Sequence, residues 1–274
     1  MDRILYFKCQ SGISGDMAVA SMIDLGADRD GLMKVLDSIP ADGFSVRIST
    51  VKRSLIDVCD FDVVLDEDNH DHDPEYLYGE GHADCVHGHG HRNLSDVMEI
   101  ISGTDMTEGA RRIAERIFTI IAEAESKVHG VPVDEVHFHE VGALDSIVDI
   151  IALAYCVDNL SPNGICFSPL YEGTGTVRCQ HGVLPVPVPA VLEIATRYGI
   201  PMIDGECQGE FVTPTGIAFA AAVRNIEVPD RIIVRSTGYG AGKRITERPG
   251  FVTAMMVDTY RTVACGLDDG AQQA

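Results

Sequence analysis

Apolar residues along the chain follow two rhythms, one of period two and one of period three to four, and the switches between them lay out the elements. RILYFKC at 3–9 is a short apolar strand, QSGISGD a small-residue loop, and MAVASMIDLG a helix that should stop at Gly26. Residues 28–39 predict a second helix, and FSVRISTVKR and LIDVCDFDVVL two strands, the second clearly alternating. Helical spacing returns in LSDVMEII. It returns again from Thr107 to His129, where Ala110, Ile113, Ile117, Ile120, Ile121 and Ala124 recur at helical spacing and Gly130 is placed as cap. DSIVDIIALAYCVDNL predicts a helix, ICFSPL a strand, and YEGTGTVRCQHG a glycine-punctuated segment. LPVPVPA is extended ahead of the helix AVLEIATRYG, and TPTGIAFAAAVRN is a helix with Thr213 as N-cap and Pro214 in its first turn. RIIVRSTGYGAG and FVTAMMV close the chain as strands. Interleaved strands and helices predict an α/β fold, a mixed sheet with flanking helices.

One stretch breaks the pattern. From Asp66 to Asn93 no apolar period survives, and six of the ten histidines gather there, which predicts a disordered His-rich insert. The expected organisation is therefore one α/β domain over 1–65 and 94–262, the insert at 66–93, and a tail at 263–274.

Charge narrows the function. Forty-two acidic residues against 21 basic ones leave a net charge of −21, which repels nucleic acid and anionic membrane surfaces. The start has no signal-peptide layout and no apolar run approaches the roughly 18 residues of a membrane span, so a cytoplasmic protein is expected. Eight cysteines are scattered without a CxxC pair, which argues for reduced thiols over a disulfide framework or a zinc ribbon.

Candidate chemistry centres on VHFHEVGALDSIVD, residues 136–149. In an extended segment His137 and His139 project to one side and Phe138 to the other. Asp145 is placed to cap the next helix. Asp149 lies a turn further on within an apolar run, where a lone carboxylate must be protonated, paired or bound to a cation. His137, His139, Glu140, Asp145 and Asp149 together have the ligand types of a nickel, manganese or zinc site. The bland alternative leaves a cap, surface histidines and an amide-bonded Asp149. In the insert, His70, His72, His87, His89 and His91 suit capture of a borderline divalent ion, although the fixed spacing of a structural zinc site is missing. Ser11, Gly12, Ser14 and Gly15 of QSGISGD could cradle a phosphate at a helix N-terminus, with Asp16 as ligand or as a first-turn carboxylate favoured by the helix dipole. Arg178 and His181 in one glycine-rich stretch, and Glu210, Thr213 and Thr215 in another, could contact an anionic ligand. Neither a P-loop nor a dinucleotide fingerprint is present.

Taken in order, CQSGISGDM, the His-rich insert, VHGVPVDEVHFHEVGALDSIVDI, HGVLPVPVPA, GEFVTPTG and GYGAG closely resemble the LarC family of nickel insertion proteins, from residue 9 to about 242. The resemblance implies a cyclometallase of the lyase class. Such a protein inserts nickel into pyridinium-3,5-bisthiocarboxylic acid mononucleotide, coupled to CTP hydrolysis and assisted by manganese or magnesium, making the nickel-pincer cofactor of lactate racemase. It further implies that this chain corresponds to the amino-terminal part, with the CTP site in a C-terminal part. Lactate racemase apoprotein is a candidate partner and a homo-oligomer is expected. On that basis His137, His139, Glu140, Asp149 and Asp16 are the catalytic candidates. A nickel storage protein and a metal-dependent phosphohydrolase are the alternatives.

Overall fold

The computed structural model describes residues 3–66, 92–138, 144–179, 182–244 and 247–259. Six of the predicted strands build one mixed sheet. β1 (Ile4–Lys8), β2 (Phe44–Arg53), β3 (Ile56–Leu65), β6 (Gly164–Phe167), β11 (Ile232–Ala241) and β12 (Phe251–Thr259) lie in the order β2-β3-β11-β12-β1-β6. β1 is parallel to β6 and antiparallel to β12, while β3 is parallel to β11. Alternation along β1 divides the two faces. Leu5 and Phe7 enter the main core with the helices, whereas Ile4 and Tyr6 join Cys166, Met255 and Val257 in a second buried cluster.

Seven α-helices occur among the described residues: α1 (Gly15–Leu25), α2 (Arg29–Asp37), α3 (Leu94–Gly103), α4 (Glu108–His129), α5 (Leu144–Leu160), α6 (Pro189–Tyr198) and α7 (Pro214–Val223). Their ends follow the sequence signals. Gly26 and Gly130 take left-handed conformations at the ends of α1 and α4, and the Thr107 and Thr213 side chains accept from Ala110 N and Gly216 N. α5 is apolar nearly all round, with eleven buried residues, because it lies between α4 on one side and α1 on the other.

α1 packs directly on β11, and the sequence GYGAG makes that contact possible. A Cβ on Gly240 would overlap the Met17 carbonyl, and one on Gly238 the Ser21 carbonyl. The helix backbone therefore rests on the strand backbone at both positions. These glycines set the height of α1 above the sheet and, with it, the position of Asp16.

The structure adds elements that the apolar rhythm did not show. The glycine-punctuated segment forms β7 (Leu170–Thr174) and β8 (Thr176–Cys179). β8 pairs with β9 (Gly182–Pro185), and β7 pairs in parallel with β10 (Met202–Gln208). A short ribbon joins β4 (Arg92–Asn93) to β5 (His137–Phe138). Cys9, Cys59, Cys156, Cys166 and Cys207 are free thiols, and no helix of the described residues is long and apolar enough to cross a membrane.

Candidate functional site

The carboxyl ends of β1, β6 and β11 lie at one edge of the sheet, where open α/β sheets place their ligands. The loop after β1 is pinned there by GEFVTPTG. Ile13 N donates to Phe211 O (2.9 Å) and Thr213 N to Ile13 O (3.1 Å), so the two segments form a single parallel bridge. Gly12 sits at φ +77°, and a Cβ on it would overlap the Phe211 carbonyl. Only glycine fits that turn.

This loop delivers the first turn of α1 to the first turns of α5. Asp149 Oδ2 lies 2.6 Å from the position a Cβ on Gly15 would take, and the Asp149 carboxylate accepts the Asp16 amide. The Asp16 carboxylate accepts Met17 N at 2.8 Å and the Ser14 hydroxyl. Two carboxylates thus share the positive end of one helix. Both keep a partly accessible edge. Burial is nevertheless the leading cause that raises the pKa of each, and for Asp149 repulsion by Asp16 and then Asp145 adds to it. Their mutual repulsion disfavours two negative charges at once.

A cation that the sequence did not single out balances the pair. Lys243, two residues beyond β11, donates to Asp60 Oδ1 and reaches Asp62 Oδ1, both at 3.0 Å, and its charge favours ionisation of Asp16 and Asp149. Burial opposes the ammonium, but its hydrogen bonds to Asp60 and Asp62 prevail and its pKa is raised. Asp62 moves the other way, because Lys243 and Arg47 overcome the effect of burial. The available signal was the pair of acids at alternate positions of β3 together with a lysine after GYGAG in a strongly acidic chain.

Glu172 of β7 was also missed. It is 1% exposed, and its Oε1 accepts from Gly173 N (2.8 Å), Phe211 N (2.7 Å) and Val212 N (3.2 Å), which ties β7 to the segment that pins the β1–α1 loop. Its Oε2 has no hydrogen-bond partner among the described residues. Burial raises its pKa despite the three amides. Glu172→Gln keeps the acceptor and should change stability by less than about 1 kcal/mol. Glu172→Leu orphans three amides and should cost about 3 kcal/mol or more in urea unfolding. Equal midpoints for the two variants would contradict this role.

The remaining candidates divide clearly. Asp145 falls one residue inside α5, and its carboxylate accepts Ser146 N at 2.7 Å. Ser11 and Thr215 are buried, Thr213 is the cap of α7, and Glu210 holds Arg244 at 3.3 Å. Arg178 is exposed on the β8–β9 hairpin, away from the carboxylate pair's contacts. Of the amides expected to cradle a phosphate, Gly12 N is taken by Cys9 O, and its neighbours Ile13 N, Asp16 N and Met17 N are taken by Phe211 O, Asp149 and Asp16. His139, Glu140 and His181, the insert histidines 70, 72, 87, 89 and 91, and the side chain of His137 lie outside the described residues. Among the described residues no three His, Cys, Asp or Glu side chains are arranged to hold a metal ion, so that part alone does not fit a resident manganese or magnesium. A cavity of about 580 Å³ lined by Ile4, Asn163, Ile226 and Thr259 opens at the opposite end of β1.

Comparison with known proteins gives this edge a context. The chain matches the family described as nickel insertion protein over residues 5–274. It is 44% identical over 283 residues to the pyridinium-3,5-bisthiocarboxylic acid mononucleotide nickel insertion protein of Alkaliphilus metalliredigens, covering 98% of this chain and 66% of that one. Proteins of the same name from Acetivibrio thermocellus and Geobacillus kaustophilus are 41% and 36% identical, covering 90% and 96% of this chain and 58% and 62% of their own lengths. The chain thus spans less than two thirds of each of these relatives. No solved structure matches it. With the family's sequence pattern running from β1 to the end of the chain, this protein belongs to the nickel insertion protein family.

Proposed function

We propose that this chain handles the metal and the proton in nickel insertion into pyridinium-3,5-bisthiocarboxylic acid mononucleotide, the substrate in its relatives' names. The observation that supports this most is the β4–β5 ribbon. Asn93, just past the His-rich stretch, pairs with His137, and Arg92 with Phe138. The His-rich stretch therefore ends in sequence at a strand paired with that of His137, and α5, with Asp149 against Asp16, follows that strand in the chain. Capture, transfer and proton removal follow one another along that route.

In this reading the insert gathers nickel, and His137, His139, Glu140, Asp145 and Asp149 receive it. The substrate's soft sulfurs then displace the harder oxygen and nitrogen ligands. Forming the carbon–nickel bond requires a ring C–H to give up its proton while its electron pair passes to nickel. The Asp16–Asp149 pair is the acceptor for that proton, since two close carboxylates with raised affinity take up one proton readily. CTP, manganese or magnesium, and a C-terminal part supply the coupling in this proposal, and lactate racemase is the consumer of the product. A phosphohydrolase reading is less favoured because the Gly12 amide and the neighbouring Ile13, Asp16 and Met17 amides already have acceptors within the chain.

The test uses this chain together with the remaining segment of a full-length relative, nickel, CTP and the mononucleotide. Deleting residues 70–91 should lower the number of nickel ions bound by calorimetry without loss of helical circular dichroism. The double variant His137→Ala, His139→Ala should keep the insert's nickel yet lose product. Full product from the double variant would overturn the route.

A further inference from the structure

The substrate proposed above is an anion, and a chain of net charge −21 repels it unless a local cationic surface receives it. The acidic end of the site cannot serve, because Asp16 and Asp149 face each other there and would repel a phosphate. The stretch between β11 and β12 runs against the overall charge, with Lys243, Arg244 and Arg248 against Glu247 alone from 243 to 248. Lys243 is engaged by Asp60 and Asp62 beside the carboxylate pair.

The two arginines are held differently. Arg248 lies flat over the Tyr171 ring, with its Cζ 3.7 Å from the centroid, and its Nε donates to Gln10 O at 2.7 Å. Tyr171 is fixed in turn by an edge-on contact with Phe211, 5.4 Å between centroids, and by Cys207 N, which donates to its hydroxyl. Arg244 donates from Nη1 to Glu210 O (2.8 Å) and from Nη2 to Glu210 Oε2 (3.3 Å). The carbonyls of Arg244 and Arg248 lie 3.7 and 3.9 Å from the Cβ position of Gly250, so both side chains leave the backbone from adjacent points. Gln10 belongs to the loop that leads to Asp16, and Glu210 and Phe211 to the segment that pins this loop through Ile13 and Thr213. The arginines are therefore anchored to the loop that enters α1 at Asp16.

We infer that Arg244 and Arg248 form the phosphate-recognising edge of the site, taking the phosphate monoester of the mononucleotide while its cationic pyridinium ring faces the acidic end. The inference rests on the proposed substrate. Planar guanidinium groups, one stacked on a ring and one braced by a carboxylate, are oriented before the ligand arrives, and a forked donor matches phosphate oxygens. Glu210, a candidate ligand residue by sequence, becomes the group that orients Arg244.

Calorimetry on the whole chain, without nickel or CTP, separates the possibilities. The probes are the pyridinium bisthiocarboxylate mononucleotide and its dephosphorylated nucleoside. Wild type should bind the nucleotide about 10- to 100-fold more tightly than the nucleoside. Arg248→Gln and Arg244→Gln should each lose most of that difference on the nucleotide and bind the nucleoside as wild type does. Arg248→Lys, which keeps charge but not the fork, should fall between. If wild type shows the difference and neither glutamine variant reduces it, or if the variants weaken both probes equally, the phosphate edge is wrong and the substrate assignment stands. If wild type binds neither probe, the substrate assignment itself falls, and this inference with it.

Discussion

Asp149→Asn is expected to lower product formation by at least about 100-fold, the scale of a lost general base, while making the protein more resistant to heat at neutral pH. The two effects share one cause. Burial first, and then Asp16 and Asp145, hold the Asp149 pKa above the usual carboxylate range, so the folded state binds that proton more tightly than the unfolded chain does. The stability this contributes is fully present in acid, below the unfolded value, and is lost as the pH rises through the folded value. Asparagine keeps an acceptor for the Asp16 amide and carries no charge to bury. The variant should therefore melt above wild type at pH 7 to 8, with the gap closing toward about pH 4, near the unfolded carboxylate value. Melting curves across that range, run beside the product assay, check both halves. A gap that does not depend on pH would remove the carboxylate-pair account. Normal activity would remove Asp149 from the reaction.

Gly240→Ala should produce a large loss of stability, about 3 kcal/mol in urea unfolding. The added methyl meets the Met17 carbonyl and the Ser21 amide of α1, and these are backbone atoms that move only if the helix lifts from β11. Because Met17 follows Asp16 directly, the surviving folded protein should also lose product formation. An unchanged midpoint would mean that α1 does not rest on the strand as described.

Much of this was legible in one dimension, where a rule acts within a few residues. Thr213 capping α7 and Gly130 ending α4 depend on hydrogen bonds made inside one turn, and the sequence carries the whole of that information. β1, β3 and β12 read as strands because apolar alternation or continuity shows directly. β10, MIDGECQ, did not, since its glycine and acids give no rhythm and it becomes a strand only by pairing with β7. The difficulty of Asp149 was visible in its apolar neighbours. Its partner was not, because Asp16 belongs to another helix and only the packing of α1 on α5 and β11 brings the two carboxylates together.

The sequence by itself determined the α/β class, most of the large helices and strands, the family likeness and the presence of a carboxylate that burial alone could not explain. Tertiary structure decided what that carboxylate faces, which lysine balances it, and that the glycines of GYGAG seat a helix. It also gave the Gly12 amide of the expected phosphate cradle an acceptor within the chain. The physical reason is range. Caps and periodicity are local free energies, whereas the charge state of Asp149 depends on the positions of Asp16, Asp145 and Lys243, and those positions follow from the closing of the whole sheet.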